Sequence, residues 1–357
     1  MVNNSSSSNI TFDAYDNKIY QTLIDFNGCL AFIVGGFGVY ITWFWTPQIF
    51  GPYKYFLLNI SLWAFLFDTY TTVFYTPWIL YPAIVCCPTG FLRTRDVFWA
   101  KIWSDLLTFF HGGTNVAVFS AFIYRFAILK GKLQIILGPK FLTFLVILHI
   151  IYEVPTNVFF HLCTQNTTAI NESILKHYPN IIEYYPNDDM ACAVISLDVG
   201  FPFNYLFFGV GLFSFFATMP FIVIMVYQTK NLLRKQKINM NEKTYLMHKE
   251  LLRTLIFQLV VPGVTLLIPY AVTLLFIIVG ISNISIISQA NFIVGTLHST
   301  MNTVMMLYFI RPYRYRFTNV FWKEPKSLLT GKWATYWGSR VIDSSNVVDS
   351  INRKVQN

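Results

Sequence analysis

The chain has 357 residues, of which 55% are hydrophobic and only 12% are charged, against roughly 25% charged residues in soluble domains. This composition, with 35 Phe residues, excludes an ordinary soluble domain and predicts an integral membrane protein. The formal net charge of +9 does not indicate nucleic-acid binding, because the basic residues fall in short segments between apolar runs and form no single basic domain.

The first 22 residues are polar and rich in Ser and Asn, with glycosylation sequons at Asn3, Asn4 and Asn9. They lack a basic stretch followed by a short apolar core, so we predict no cleavable signal peptide. Residues 1–22 are therefore predicted to be an extracellular segment, and the first membrane helix must itself start insertion.

Seven apolar stretches follow, each with the ~20 residues that a helix needs to cross a bilayer. They lie at about residues 23–46, 54–80, 97–128, 135–160, 200–227, 251–280 and 285–310. The predicted fold class is therefore all-α, an integral membrane bundle of seven transmembrane helices over residues 23–310, followed by a tail at residues 311–357.

Seven spans put the two termini on opposite sides, and the basic residues decide which terminus is inside. If the C-terminus is cytoplasmic, 21 of the 26 Lys and Arg residues lie on the inner side. The positive-inside rule therefore predicts an external N-terminus and a cytoplasmic tail. The sequons at Asn166, Asn171 and Asn283 agree with this topology, since all three lie in predicted outer loops.

Four of the five cysteines, Cys86, Cys87, Cys163 and Cys192, fall on the predicted outer side, where oxidation is permitted. A bridge from Cys86 or Cys87 to Cys163 or Cys192 would hold the loop between the fourth and fifth helices over the mouth of the bundle. The sequence does not decide among these pairings. Cys29 lies within the first helix and is predicted to serve packing.

The seventh span carries a polar stripe and ends in a basic segment, IRPYRYR, which is typical of the cytoplasmic end of a membrane helix. On a helix of about 100° per residue, Asn291, His298 and Asn302 fall within roughly 40° of one another. We expect this stripe to face protein, because a polar group facing lipid would lack hydrogen-bond partners.

The last third of the chain resembles a known family. The run TYLMHKELLRTLIFQLVVPGVTLLIP (residues 244–269), followed by LHST and RPYR, looks like the sixth and seventh helices of nematode serpentine chemoreceptors of class H. Sister class I of the same Str superfamily is the near alternative. The resemblance implies a G-protein-coupled receptor for a small odorant or pheromone-like ligand, in the plasma membrane of sensory-neuron cilia. Unlike rhodopsin-like receptors, the chain has no acidic residue beside Arg125 and no NPxxY motif.

Two ionisable residues inside the spans are functional candidates. Asp68 lies mid-span in the second helix and resembles, in depth, the sodium-binding residue of rhodopsin-like receptors; the alternative is a hydrogen-bond hub near Asn302. Arg125 ends the third helix, where the G-protein cavity opens in this architecture; the alternative is an anchor that reaches the membrane interface.

The outer half of the bundle is predicted to hold a mostly aromatic ligand pocket with a few polar groups. His111 precedes Arg125 by close to four helical turns, so both point the same way, whereas Asp105 is expected to contact a neighbouring helix or loop. The candidate pocket residues, whose alternative role is interhelical hydrogen bonding, are His111, Tyr152, Glu153, Asn204, Tyr270, Gln289, Asn291 and His298.

The sixth helix contains Pro262 and Pro269, which remove backbone hydrogen bonds and are expected to kink it. A kinked helix can swing its inner end, which carries Lys243, Lys249 and Arg253. These three residues, together with the third-helix arginine, are the candidates for G-protein coupling. The basic inner surface suits an acidic G-protein face, and contact with anionic membrane lipids is the simpler alternative.

Other functional classes fit the sequence less well. The chain has no HExxH, GxxxxGK[ST], paired CxxC or Gly-x-Ser-x-Gly motif, so we expect neither an enzyme nor a bound cofactor. A seven-helix ligand-gated cation channel would place the N-terminus inside, against the charge count. A small-molecule transporter would be expected to show inverted repeats, and the sequence shows no such repeat.

Glycosylation gives a test of the predicted topology. We expect PNGase F to shift the electrophoretic band of the full-length protein, because Asn166 or Asn171 and the N-terminal sequons face the lumen of the endoplasmic reticulum. A C-terminal epitope should stay inaccessible to antibody in unpermeabilised cells. Staining of that epitope without permeabilisation would reverse the orientation and remove the support for a receptor.

Overall fold

The computed structural model describes residues 17–81, 83–136, 138–181, 190–238, 240–279 and 285–322. Outside these residues lie the chain from residue 323 onward and four of the sequons, Asn3, Asn4, Asn9 and Asn283. The side chains of two candidate site residues, Lys243 and Tyr270, are also outside the described part.

Seven long helices form the bundle, and most of the described chain is helical, as the predicted fold class requires. The first five run over Lys18–Phe44, Tyr53–Tyr75, Val97–Leu129, Pro139–Cys163 and Phe203–Gln236. The sixth comprises Glu242–Pro262, Gly263–Leu267 and Ile268–Val279, and the seventh is Ser285–Phe309. Within the described residues, the first four helices are each long and apolar enough to cross a membrane by themselves.

An additional amphipathic helix, Arg311–Trp322, follows the seventh helix across a bend of 95°. The sequence assigned these residues to the tail without a helix. Tyr313 is fully buried in the inner core, and a hydrogen bond of 2.6 Å joins its hydroxyl to Thr46 Oγ1 at the end of the first helix. The amphipathic helix is therefore attached to the bundle by a buried aromatic side chain.

The second helix is shorter than predicted, since the span predicted over residues 54–80 ends as a helix at Tyr75. The backbone of Thr76 has a φ of 43°, and Pro77 follows it. Proline disfavours the helical conformation in the residue before it and donates no backbone hydrogen bond. The chain therefore leaves the helix here, and residues 77–80 form a β-strand, which the sequence did not predict.

A three-stranded antiparallel sheet covers one end of the bundle, which the predicted topology makes the outer end. Its strands are β1 (Pro77–Leu80), β2 (Val85–Pro88) and β3 (Ala193–Val194), in the order β1-β2-β3. An outer helix, Thr167–His177, packs its buried residues on the sheet. A Cβ at Gly90, just after β2, would lie 2.6 Å from the Phe74 carbonyl oxygen, so only glycine allows this close return.

A disulfide bond joins Cys87 to Cys192, which is one of the pairings that the sequence left open. In the β2–β3 register Cys86 lies opposite Ala193, so Cys87 faces Cys192. Successive side chains of a strand point to opposite faces, so Cys86 points away from the bridge and lies 3.1 Å from the Tyr75 hydroxyl. Burial raises the pKa of the Cys86 thiol to about 11, which leaves it protonated and unreactive at neutral pH.

The remaining cysteines are Cys29 and Cys163, and both are free thiols. Cys163 is buried and donates a hydrogen bond of 3.2 Å to the Phe160 carbonyl at the end of the fourth helix. Cys29 is exposed on the surface of the first helix, so the prediction that it serves packing is wrong. In a membrane this surface faces lipid, where a thiol behaves as a small apolar group.

The sixth helix is deformed where its prolines lie. A π-helical turn, Gly263–Leu267, directly follows Pro262. Pro262 cannot donate to the carbonyl of Gln258, and Pro269 cannot donate to the carbonyl of Thr265. The backbone hydrogen bonds of this stretch are therefore weakened at the place where the sequence predicts a kink.

A ladder of polar contacts joins the outer halves of the antiparallel third and fourth helices. The contacts recur every three or four residues. They run toward the C-terminus of the fourth helix and toward the N-terminus of the third. The polar rungs are Thr108 with Asn157, Asp105 with His161, and Lys101 with Thr164, and at the next step Gly112 packs closely against Glu153. Asp105 thus contacts a neighbouring helix, as predicted.

Removal of the disulfide tests how far the outer sheet depends on it. We expect Cys87→Ser or Cys192→Ser to lower stability by about 2–4 kcal/mol, because the bond closes a loop with a sequence separation of 105 residues. Thermal unfolding of detergent-purified protein and surface expression measure the effect. Cys86→Ser is the matched control, since a serine hydroxyl retains the contact with Tyr75. An equal loss in that control would remove the special role of the bridge.

Candidate functional site

The seventh helix is interrupted in the middle of the bundle. Its outer part, Ser285–Gly295, and its inner part, His298–Phe309, are separated by a turn at Thr296 and Leu297. Such a turn leaves backbone N–H and C=O groups without partners in the helix, which is costly inside a membrane. Side chains from two other helices provide these partners.

Asn27 of the first helix binds the outer side of the interruption. Its side chain is buried, and Nδ2 donates to the Ile293 carbonyl at 2.7 Å and to Thr296 Oγ1 at 2.9 Å. Asn27 was not among the predicted site residues. The signal was present in the sequence, because an asparagine within an apolar span needs a polar partner elsewhere in the bundle.

Asp68 of the second helix binds the inner side of the interruption. Its side chain is fully buried, and Oδ2 accepts a hydrogen bond of 2.5 Å from the backbone N–H of Ser299. Ser299 lies in the first turn of the inner part, where both the free N–H groups and the helix dipole favour a carboxylate. This geometry is that of a hydrogen-bond hub between the second and seventh helices.

Several buried polar atoms near this hub have no hydrogen-bond partner among the described residues. They are Asp68 Oδ1, His298 Nδ1, Ser299 Oγ and both amide atoms of Asn302. His298 and Asn302 are each 1% exposed, which agrees with the prediction that their stripe faces protein. A carboxylate accompanied by hydroxyl and amide oxygens is also a donor set that suits a hard cation.

His111 lies in the same layer of the bundle as the hub. It is half-buried on the third helix, and its ring centroid is 5.5 Å from that of Phe67, in an edge-on arrangement. Phe67 immediately precedes Asp68, and His111 is within electrostatic range of His298. Of the predicted pocket residues, His111 and His298 are thus close enough for their charges to interact.

Three other predicted pocket residues are engaged in structural hydrogen bonds. Asn204 is fully buried, and its amide donates to the carbonyls of Ser196 and Leu197 before the fifth helix. Asn291 donates to Pro269 and Thr273 of the sixth helix, and Gln289 accepts from Asn17 at the start of the first helix. These contacts favour the alternative role of interhelical and loop hydrogen bonding.

Glu153 lies between the third and fourth helices. It is buried, its Oε1 is 2.8 Å from His149 Nδ1, and a Cβ at Gly112 would lie 2.7 Å from its Cγ. Tyr152 beside it is half-buried. A groove of about 410 Å³ on the outer part of the same helix is lined by Val154, Asn157, Val158, His161, Leu162 and Gln165. All six lining residues belong to the fourth helix or its end, so the groove lies on the surface of the bundle.

Arg125 is 3% exposed and lies beneath the sixth helix at the inner end of the bundle. Its Nη1 is 3.2 Å from His248 Nδ1 of the sixth helix, and its guanidinium lies 3.4 Å from the ring centroid of Tyr53 of the second helix. Nε and Nη2 have no hydrogen-bond partner in the described part of the chain. The charge of Arg125 is therefore buried among three helices, which favours a role in the bundle over that of an anchor at the membrane interface.

The sequence missed both contacts of Arg125. His248 and Tyr53 are far from Arg125 along the chain, and neither carries a negative charge that would have suggested pairing. Lys249 and Arg253, two of the predicted coupling residues, are exposed on the inner part of the sixth helix. They leave a basic surface next to the buried arginine.

Comparison with known proteins places this geometry in a family. Residues 16–323 match the family profile of the serpentine type 7TM GPCR chemoreceptor Srh, a nematode family. Among solved structures, the chain is similar to squid rhodopsin, with 15% sequence identity and a TM-score of 0.52, over 87% of this chain and 82% of that one. At this identity the likeness concerns the fold alone. Among curated proteins no sequence matches.

The matched region includes all seven helices and the amphipathic helix up to Trp322. A multi-pass membrane protein is therefore established, and a receptor of this kind implies in general a small-molecule ligand and a G-protein partner. The chain belongs to the Srh family of serpentine seven-transmembrane G-protein-coupled chemoreceptors.

Proposed function

We propose that the protein is a chemosensory receptor of class H, rather than class I, that binds a small odorant or pheromone-like molecule and activates a heterotrimeric G protein. The ligand would bind in the outer half of the bundle, near His111 and His298. The N-terminus would be outside and the tail from residue 311 cytoplasmic, in the plasma membrane of sensory-neuron cilia. The family membership and the positive-inside charge distribution support this proposal.

The observation that carries the proposal is the environment of Arg125. Two nitrogens of this buried guanidinium have no hydrogen-bond partner among the described residues, and an incoming carbonyl or carboxylate would complete its hydrogen bonds. The sixth helix covers it through His248. Outward movement of that helix would expose Arg125 to the C-terminus of a G-protein α-subunit, and ligand binding would favour this state by a few kcal/mol of differential affinity.

For Asp68 we favour a role in holding the interrupted seventh helix. The hydrogen bond to Ser299 supports this role directly. Sodium binding is the second candidate, supported by the oxygen atoms of Asp68, Ser299 and Asn302 that lack hydrogen-bond partners within the described part of the chain. The two roles are compatible, since Oδ2 is used by the backbone and Oδ1 is the atom left for a cation.

Coupling tests the role of Arg125. We expect Arg125→Ala to reduce G-protein activation about tenfold or more at matched surface expression, because it removes charge-assisted hydrogen bonds to the G protein. His248→Ala should raise ligand-independent signalling, and His248→Glu should lower it, since a carboxylate would pair with the guanidinium and hold the sixth helix closed. Calcium or cAMP reporters measure both the ligand-stimulated and the ligand-independent signal.

Arg93→Ala, at the opposite end of the bundle, is the matched control and should leave coupling unchanged. Equal coupling in wild type and Arg125→Ala would sink the assignment. Ligand binding should survive Arg125→Ala, because the arginine lies far from the outer half of the bundle.

Ligand potency tests the role of His111. An odorant panel applied to cells with a calcium or cAMP reporter would first identify an active compound. For that compound we expect His111→Ala to shift the half-maximal concentration about tenfold, as is typical for a side chain that contacts a ligand. His177→Ala is the control, because this exposed histidine lies on the outer helix away from the bundle interior. An unchanged potency in His111→Ala would place the ligand elsewhere.

A further inference from the structure

Glu250 and Arg311 form an ion pair at the inner end of the bundle. Arg311 Nε lies 2.6 Å from Glu250 Oε1, and the side chain of Glu250 is 24% exposed. Glu250 belongs to the sixth helix, and Arg311 is the first residue of the amphipathic helix. The pair therefore joins the sixth helix to the corner at which the seventh helix ends.

His248 and Glu250 are separated by one residue, so their side chains leave the sixth helix about 200° apart. His248 contacts Arg125 of the third helix, and Glu250 contacts Arg311. The inner end of the sixth helix is thus held on two nearly opposite sides by arginines from different helices.

The corner that carries Arg311 is itself fixed. Ile310 has an extended backbone with a ψ of 101°, which ends the seventh helix and begins the 95° bend. Two residues after Arg311, Tyr313 is fully buried and bonded to Thr46 of the first helix. Arg311 therefore contacts Glu250 from a position that the first and seventh helices determine.

A helix held on two opposite sides cannot move outward without losing a contact. We propose that the Glu250–Arg311 pair is a second closed-state latch, which opens together with the Arg125–His248 contact when the inner end of the sixth helix moves. This inference rests on the proposed function, in which that movement uncovers the G-protein site. Because partly exposed ion pairs are individually weak, loss of the pair changes the ratio of open to closed receptor by about two- to fivefold.

The position of the inner end of the sixth helix can be measured without any G protein or ligand. Spin labels would be introduced as non-natural amino acids at Glu242 and Gln134, which are both exposed, in the full-length protein reconstituted in lipid nanodiscs. Pulsed electron paramagnetic resonance then gives the distance between the two labels, one at the start of the sixth helix and one in the segment after the third helix. The long-distance fraction reports the open state.

Three variants and one control test the latch. Glu250→Gln and Arg311→Gln should each raise the long-distance fraction about two- to fivefold. The double exchange Glu250→Arg with Arg311→Glu restores an ion pair with reversed charges and should return the fraction toward that of wild type. Arg316→Gln, which removes an exposed charge from the same amphipathic helix as Arg311, should leave it unchanged.

The latch is overturned if both single variants keep the wild-type distance distribution, or if the double exchange is as open as the single variants. Thermal unfolding of each variant shows whether it is folded, and the restoring double exchange separates a lost pair from general damage. A receptor that opens on these substitutions but activates no G protein would contradict the proposed function and leave the latch standing. Variants that activate a G protein but keep the wild-type distance distribution would support the proposed function and overturn the latch.

Discussion

The bundle depends on the hydrogen bond from the Ser299 N–H to Asp68, because this bond satisfies a backbone group that the interruption of the seventh helix leaves free inside the membrane. Lipid offers no partners for free backbone groups, so an interruption persists only where protein satisfies it. Asn27 satisfies the outer side of the same interruption. The first, second and seventh helices are thus tied together at one depth.

The outer and inner ends of the bundle are held in different ways. The outer end is held by the disulfide bond and by the sheet. The sheet has its own apolar core, which includes Trp78, Val85 and Ile170. Separate polar contacts, each of modest strength, hold the sixth helix at the inner end through His248 and Glu250. In the proposed function, this construction would keep the ligand-binding side in place while the inner side changes shape.

Much of the bundle could be predicted from the sequence, because an apolar run of about 20 residues is a strong local signal. The second helix was predicted too long, since the residues of β1 are as apolar as the helix before them and only Pro77 marks the change. Site residues were harder. The sequence identifies Asp68 and Arg125 as charges that need partners, but Ser299 and His248 are more than 100 residues away along the chain, and only packing decides such pairs.

The polar ladder between the third and fourth helices constrains how a signal can cross the membrane. Its rungs share one register, from Thr108 with Asn157 to Lys101 with Thr164. Sliding one helix along the other by a single residue, about 1.5 Å, would misalign every rung at once. These contacts oppose sliding of the third helix along the fourth. In the proposed function, the signal of ligand binding would then be carried by rotation or tilt of the other helices rather than by sliding of this pair.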